Sequence, residues 1–224
     1  MREDVQKIYL KTKPKKQVMM FTATLSQKMK DIALKYMRPP YHVIFIDDQK
    51  RLTLHGLKQF YVEVDEKQKF KCLYMLLTKI DYNQCIIFTS KADRAKYLNK
   101  MLKDVDIASL TIYSDMNQKQ RMETFQKFKE GGEKVLVSTN LFARGIDIER
   151  INLVINYDMA ESSDTYLHRV GRAGRYNTKG TAITFVNTEA DKEILNSIQT
   201  RFEVKIEQLP QKFDESTFGE FTSG

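Results

Sequence analysis

The eight residues His168-Arg169-Val170-Gly171-Arg172-Ala173-Gly174-Arg175 hold three arginines and two glycines. On one continuous helix, His168, Arg172 and Arg175 stand at i, i+4 and i+7 and share a face, while Leu167, Val170, Gly171 and Gly174 share another. The glycines would let that second face press close to a neighbour. Arg172 and Arg175 would then project together as two permanently charged, fork-shaped donors. Such a pair suits a terminal phosphate, whose oxygens gather negative charge as a phosphoryl group is transferred. The alternative for an Arg-rich helix end is simple complementarity to its own dipole. Regular spacing and two glycines are more than that alternative asks for.

A second concentration of chemistry is Thr139-Asn140-Leu141-Phe142-Ala143-Arg144-Gly145-Ile146-Asp147. A glycine between an arginine and an acid lets backbone amides approach a ligand, and Asp147 can accept hydrogen bonds from a ribose hydroxyl. An ordinary strand-to-helix connection does not need Arg144, Gly145 and Asp147 together. Two further polar segments, Phe88-Thr89-Ser90-Lys91 and Tyr113-Ser114-Asp115-Met116, follow apolar runs, and Gln118 and Arg121 stand three apart after the second.

The elements that must position these residues are legible as a regular alternation. Strands are expected at Leu57 to Val64, Gln84 to Phe88, Ala108 to Tyr113, Val135 to Thr139, Leu153 to Tyr157, Thr181 to Val186 and Val204 to Leu209. Between them the spacing predicts helices at Glu66 to Ile80, Lys91 to Leu102, Gln118 to Lys129, through the opening motif, and at Ala190 to Phe202. Runs such as Cys85-Ile86-Ile87-Phe88 are apolar on both sides, as buried parallel strands are. The fold class is therefore α/β, a parallel sheet sandwiched by helices, with right-handed crossovers. In such sheets function gathers at the carboxyl ends of strands, where the three polar segments fall. Upstream, a helix is expected from Met1 to Leu10, a strand over Val18 to Thr24, a helix from Ser26 to Met37 ended by Pro39-Pro40, and a strand over His42 to Ile46. Asp47 to Arg51 is polar and unpatterned, as a linker would be.

Composition narrows the setting. The chain has 224 residues, 42% of them hydrophobic, enough for a real core, and a net charge of +8 that favours an anionic partner. Cys72 and Cys85 match no zinc spacing and are expected to be buried and reduced inside a cell. His42 and His55 form no metal site with His168. No membrane span or secretory leader is expected, and no glycine has the spacing of a phosphate-binding loop before Lys-Ser or Lys-Thr.

His168-Arg169-x-Gly171-Arg172-x-Gly174-Arg175 resembles the sixth motif of DEAD-box RNA helicases, and Ala143-Arg144-Gly145-Ile146-Asp147 resembles the fifth. Ile86-Ile87-Phe88 is similar to the fourth motif, Gln118-x-x-Arg121 to the family's Gln-x-x-Arg element, and Thr22-Ala23-Thr24 to the third, with Thr22 in place of serine. Tyr113 stands where the family has histidine. The resemblance covers almost the whole chain. Leu52-Thr53-Leu54-His55-Gly56-Leu57, Thr139-Asn140-Leu141-Phe142, Ser163-Asp164-Thr165-Tyr166-Leu167-His168 and Arg201-Phe202-Glu203-Val204 look like the nuclear branch of pre-mRNA splicing and mRNA export. That branch carries an Asp-Glu-Cys-Asp box and has alanine where Gly171 stands.

The resemblance implies a RecA-like architecture. Residues 1–46 would be the remnant of a first RecA-like domain, 47–53 a linker, 54–210 the second domain and 211–224 a tail. It implies ATP with Mg2+ as cofactor, bound mainly by the first domain, and single-stranded or duplex RNA, the first domain and splicing or export factors as partners. Arg172, Arg175 and His168 would be catalytic, with His168 coupling the interface to Thr22, Ala23 and Thr24. Arg144, Gly145 and Asp147 would bind the nucleotide, and Ser90, Arg121 and Thr139 would hold RNA phosphates. The activity implied is that of an RNA-stimulated ATPase and helicase in the nucleus, with this chain alone inactive. Two other readings use the same fold, a non-enzymatic RNA-binding adaptor and a self-contained nucleotide-binding enzyme. The intact arginines disfavour the first and the absent phosphate loop the second.

Overall fold

Five consecutive buried residues, Gln84–Phe88, form strand β2 near the middle of a seven-stranded sheet, with β5 (Ile151–Asn156) and β4 (Val135–Ser138) on its two edges. The computed structural model describes residues 2–22, 27–44, 56–140, 148–174, 179–210 and 213. Its strand order is β3-β4-β2-β5-β6-β1-β7, where β1 is Leu57–Glu63, β3 Ser109–Ile112, β6 Gly180–Val186 and β7 Glu207–Gln208. Every pairing is parallel.

Parallel neighbours need crossovers, and their fixed hand sorts the helices onto two faces. Helices α3 (Lys69–Lys79) and α4 (Ala92–Asp104) cover one face, where Leu73, Leu76, Leu98 and Leu102 pack with Ile87, Val137, Ile155 and Phe185. A 3-10 turn at Glu66–Gln68 leads into α3. Helices α5 (Gln118–Lys129), α6 (Ser163–Val170) and α7 (Glu189–Phe202) cover the other, where Phe128, Tyr166, Val170 and Ile198 meet Ile86, Leu136, Val154 and Ala182. Each large apolar side chain so enclosed stabilises the fold by about 1.5–3 kcal/mol before entropy is counted. The helix starts are chemically set. Asn117 and Gln120 form a reciprocal capping box on α5, Thr188 and Asp191 do so on α7, and the Ser162 hydroxyl accepts from Thr165 N–H on α6.

By internal contacts the chain separates into two compact units, Met1–Asp47 and Asp48–Gly224. The first holds α1 (Arg2–Lys11) and α2 (Gln27–Leu34), with the Tyr9 and Tyr36 rings edge-to-face at 5.1 Å and the Lys16 ammonium 3.6 Å above the Tyr9 ring. The strands expected over 18–24 and 42–46 are absent from its described residues. Val18 to Thr22 and His42 to Ile44 have no neighbouring strand there, and an extended segment becomes a strand only when a neighbour takes up its backbone groups. Phe21 is consequently 88% exposed. No helix among the described residues is long and apolar enough to cross a membrane. Cys85 is buried, as expected, but Cys72 is only half-buried, with burial pushing its thiol up to about 11.

Candidate functional site

The carboxyl end of the sheet is held together by one anion. Asp158, two residues beyond β5, accepts from the Ser90 backbone N–H at 2.9 Å and the Ser90 hydroxyl at 3.1 Å, both beyond β2. Its carboxylate also takes Arg94 Nε at 2.7 Å and Lys69 Nζ at 3.3 Å. Glu66 closes the cluster through Arg94 and through Lys69 at 3.0 Å. Burial by itself pushes the Asp158 carboxyl upward, but the Ser90 N–H, Arg94 and Lys69 outweigh it and hold the carboxyl below its ordinary value. The same balance lowers Glu66. Tyr157 lies under both cations, with Arg94 Cζ 5.1 Å and Lys69 Nζ 5.5 Å from its ring centroid. Burial pushes its phenol up to about 12.

Arg169 builds a second network on the other side of Asp158. Arg169 is fully buried. Its Nη1 donates to the Asp158 carbonyl at 2.7 Å and to Asn156 Oδ1 at 3.2 Å, and its Nε donates to Asn140 Oδ1 at 2.8 Å. The guanidinium lies 5.2 Å from the Phe88 ring centroid. Loss of hydration lowers the Arg169 pKa to about 10, with the Asp158 and Glu161 charges acting in the opposite direction. The group therefore remains a cation at neutral pH.

The sequence-predicted residues divide between the two ends of the sheet. Thr139 follows β4 and is buried, its N–H donating to the Ile112 carbonyl at 3.3 Å. Ser90 follows β2 and is exposed. Arg121 lies in the first turn of α5, the helix after β3, and its Nε donates to the Met116 carbonyl at 3.1 Å. β3, β4 and β2 are neighbours, so the topology brings these three positions to one edge of the sheet. Beside them Tyr113 carries the Lys96 ammonium 4.5 Å from its ring centroid.

The opening motif is not one helix. α6 ends at Val170, Gly171 caps it, and the chain turns through Gly174 at φ 69° to reach β6 at Gly180. Gly174 adopts a left-handed conformation that no helix continues, so one helix does not run through the whole motif. Arg172 is 8% exposed and donates from Nε to the His168 carbonyl at 3.0 Å, so it is packed. His168 is half-buried, and Thr22 is exposed in the first unit. Arg175, Arg144, Gly145, Asp147, Ala23 and Thr24 lie outside the described residues.

The comparisons with known proteins agree on one family. A family model for the helicase conserved C-terminal domain matches residues 68–177. The chain is 51% identical over 218 residues to DEAD-box ATP-dependent RNA helicase 15 of Arabidopsis thaliana, covering 97% of this chain and 51% of that protein. It is 48% identical to human ATP-dependent RNA helicase DDX39A, with 97% and 51% covered. The solved C-terminal domain of the DEAD-box protein Dbp5 is 33% identical with a TM-score of 0.65, over 72% of this chain and 95% of that one. The chain belongs to the DEAD-box RNA helicases. S. cerevisiae Dbp5 bound to RNA and ADP BeF3 is similar as well, at 28% identity and a TM-score of 0.83, over 93% of this chain and 55% of that chain. The chain spans about half the length of the curated relatives it matches.

For a DEAD-box domain, the residues that sequence reasoning missed are those joining the segments. Asp158, Arg94, Lys69 and Asn156 belong to no motif singled out above, and the burial of Arg169 was not foreseen. A signal existed for two of them. Asn156 and Asp158 are polar residues at the very end of an otherwise apolar strand, where a buried amide or carboxylate must have partners.

Proposed function

We propose that this chain is the second RecA-like domain, preceded by the tail of the first, of an ATP-dependent RNA helicase. The observation that carries this reading is the placement of Ser90, Arg121 and Thr139 on one sheet edge, while α6 leads His168 and Arg172 away toward β6. A row of hydroxyl, guanidinium and backbone donors on neighbouring strands suits a sugar-phosphate backbone, which carries no sequence information. Arg172 and Arg175 supply charge to the γ-phosphate of ATP held by the first domain, and His168 couples that surface to Thr22, Ala23 and Thr24. Arg144, Gly145 and Asp147 complete the nucleotide contact. ATP brings Mg2+, which the first domain and the phosphates hold.

Identity near one half to helicase 15 and DDX39A, against 28–33% to the Dbp5 structures, supports the splicing and export branch and a nuclear setting, with export or splicing factors as partners. The deciding experiment is steady-state ATP hydrolysis. The 224-residue chain alone is expected to show none, and joining it to a first domain of the family is expected to restore RNA-stimulated turnover. Hydrolysis by the purified chain on its own would overturn this reading.

A further inference from the structure

The two halves of the candidate site are bridged by one buried side chain. Arg169 stands in α6 directly after His168, and the Arg172 N–H donates to its carbonyl at 3.1 Å. Its guanidinium points the other way, back to the carboxyl ends of the strands. There it grips Asn140, which follows Thr139, and the carbonyl of Asp158, whose carboxylate holds Ser90 by both N–H and hydroxyl. A shift at Ser90 or Thr139 must therefore move Asp158 or Asn140 against Arg169, or break a hydrogen bond that buried groups cannot replace with water. Asn140 donates in turn to Glu161 at 3.2 Å, just ahead of α6, so the same amide touches both ends of the link.

We infer that Arg169 is a positioning residue that transmits RNA engagement at Ser90 and Thr139 to the turn carrying His168 and Arg172. It touches neither RNA nor nucleotide. Its planar fork is what the role needs, because Nε and Nη2 hold Asn140 while Nη1 reaches Asn156 and the Asp158 carbonyl, a span wider than the single nitrogen of an ammonium offers. This inference rests on the proposed RNA contact and deepens it by naming how that contact reaches the nucleotide side.

The test is a backbone-amide NMR titration of the 15N-labelled 224-residue chain with a single-stranded oligouridylate at low salt. In the wild type, RNA is expected to shift the amides of Ser90, Arg121 and Thr139 and also those of His168 to Ala173. Asn140→Ala removes one grip while leaving Arg169 in place. It is expected to weaken RNA binding about three- to tenfold and, at saturation, to abolish the shifts at 168–173 while those near Ser90 remain. Arg169→Lys is expected to do the same, and if that variant does not fold, Asn140→Ala carries the test. Shifts near Ser90 without any at 168–173 in the wild type, or undiminished shifts there in Asn140→Ala, would overturn the inference and leave the RNA contact standing. No shift at Ser90, Arg121 or Thr139 at any RNA concentration would remove the contact and the inference with it.

Discussion

Gly174 and Gly180 meet so closely that a Cβ built on Gly180 would stand 2.5 Å from the Gly174 backbone nitrogen and 2.9 Å from the Ala173 Cβ. The turn after α6 is thus pressed onto the first residue of β6, whose N–H donates to the Gly56 carbonyl at 2.9 Å. Gly180→Ala must displace backbone, and overpacking of that kind costs about 1–3 kcal/mol. The expected result is a melting temperature lower by several degrees, with Gly174→Ala also destabilising because of its φ of 69°. A wild-type melt for Gly180→Ala would show that the turn is not held by this contact.

In the proposed full-length enzyme, an arginine that meets charge only as the phosphoryl group transfers affects turnover more than ground-state binding. Arg172→Ala is expected to lower single-turnover ATP hydrolysis at saturating RNA by ~10³-fold or more, and Arg172→Lys to rescue little. Because Arg172 is packed and bonded to the His168 carbonyl, its removal is also expected to cost the domain about 1 kcal/mol. Normal hydrolysis by a folded Arg172→Ala enzyme would make the residue structural only.

Asp158 and Glu66 are both held below their ordinary carboxyl values in the folded state. A depressed carboxyl contributes stability above its unfolded pKa and loses it as pH falls through the folded one. Denaturant unfolding is therefore expected to show falling stability below pH ~4. Asp158→Asn should flatten that fall, while costing about 2–3 kcal/mol at pH 7 by leaving Lys69 and Arg94 with Glu66 as their one remaining anion in the cluster. Lys69, at 5% side-chain exposure, bears most of this, since Arg94 at 31% can turn to water. An unchanged acid limb in Asp158→Asn would assign it to other carboxylates.

Contacts to phosphates predict weak, sequence-tolerant binding of single strands that falls steeply with salt. Arg121→Ala is expected to lower affinity about equally for all sequences, read by fluorescence anisotropy at several ionic strengths. A strong preference for one sequence, insensitive to salt, would favour an adaptor over a helicase.

Within the first unit, Phe21 lies on an unpaired segment, whereas Phe88 ends a central strand. Hydrogen exchange is expected to be fast at the Phe21 amide and slow at Phe88. Chymotrypsin is expected to cut first at Phe21 and Tyr41 and to leave a core containing β1 to β7. Equal protection of the two phenylalanine amides would contradict the reading of the first unit as a piece separated from its sheet.

What the sequence could announce depended on how local the cause was. β2 and α5 have the expected bounds because their signals are local, five buried residues for one and an Asn117 cap with Gly131-Gly132 for the other. The end of α6 was hidden, since a glycine inside a helical pattern does not reveal whether the helix runs on through it, and Gly174, with its positive φ, lies packed against the distant Gly180. Arg169 was hidden for a different reason. A charged residue is buried only if distant partners satisfy it, and Asn140 and Asn156 reach it from two other strand ends. The strands expected before Asp47 are absent among the described residues, where no neighbour takes up their backbone groups, and no stretch of residues carries a neighbour within itself. Of the residues assigned by resemblance, Ser90, Arg121 and Thr139 follow or flank the neighbouring strands β2, β3 and β4, and Arg172 lies just past the end of α6.

The sheet order also dictates when this domain can finish folding. β1, first of the seven strands to be made, lies between β6 and β7, the last two, with Leu57 paired to Gly180 and Phe60 to Glu207. On the ribosome β1 must wait for its permanent neighbours through ~10 s of synthesis at roughly 5–20 residues per second. Pairing so distant along the chain also makes closure slow once all parts exist. The newborn protein therefore holds β1 without a neighbouring strand until β6 emerges, and that interval is where a chaperone has the most to protect.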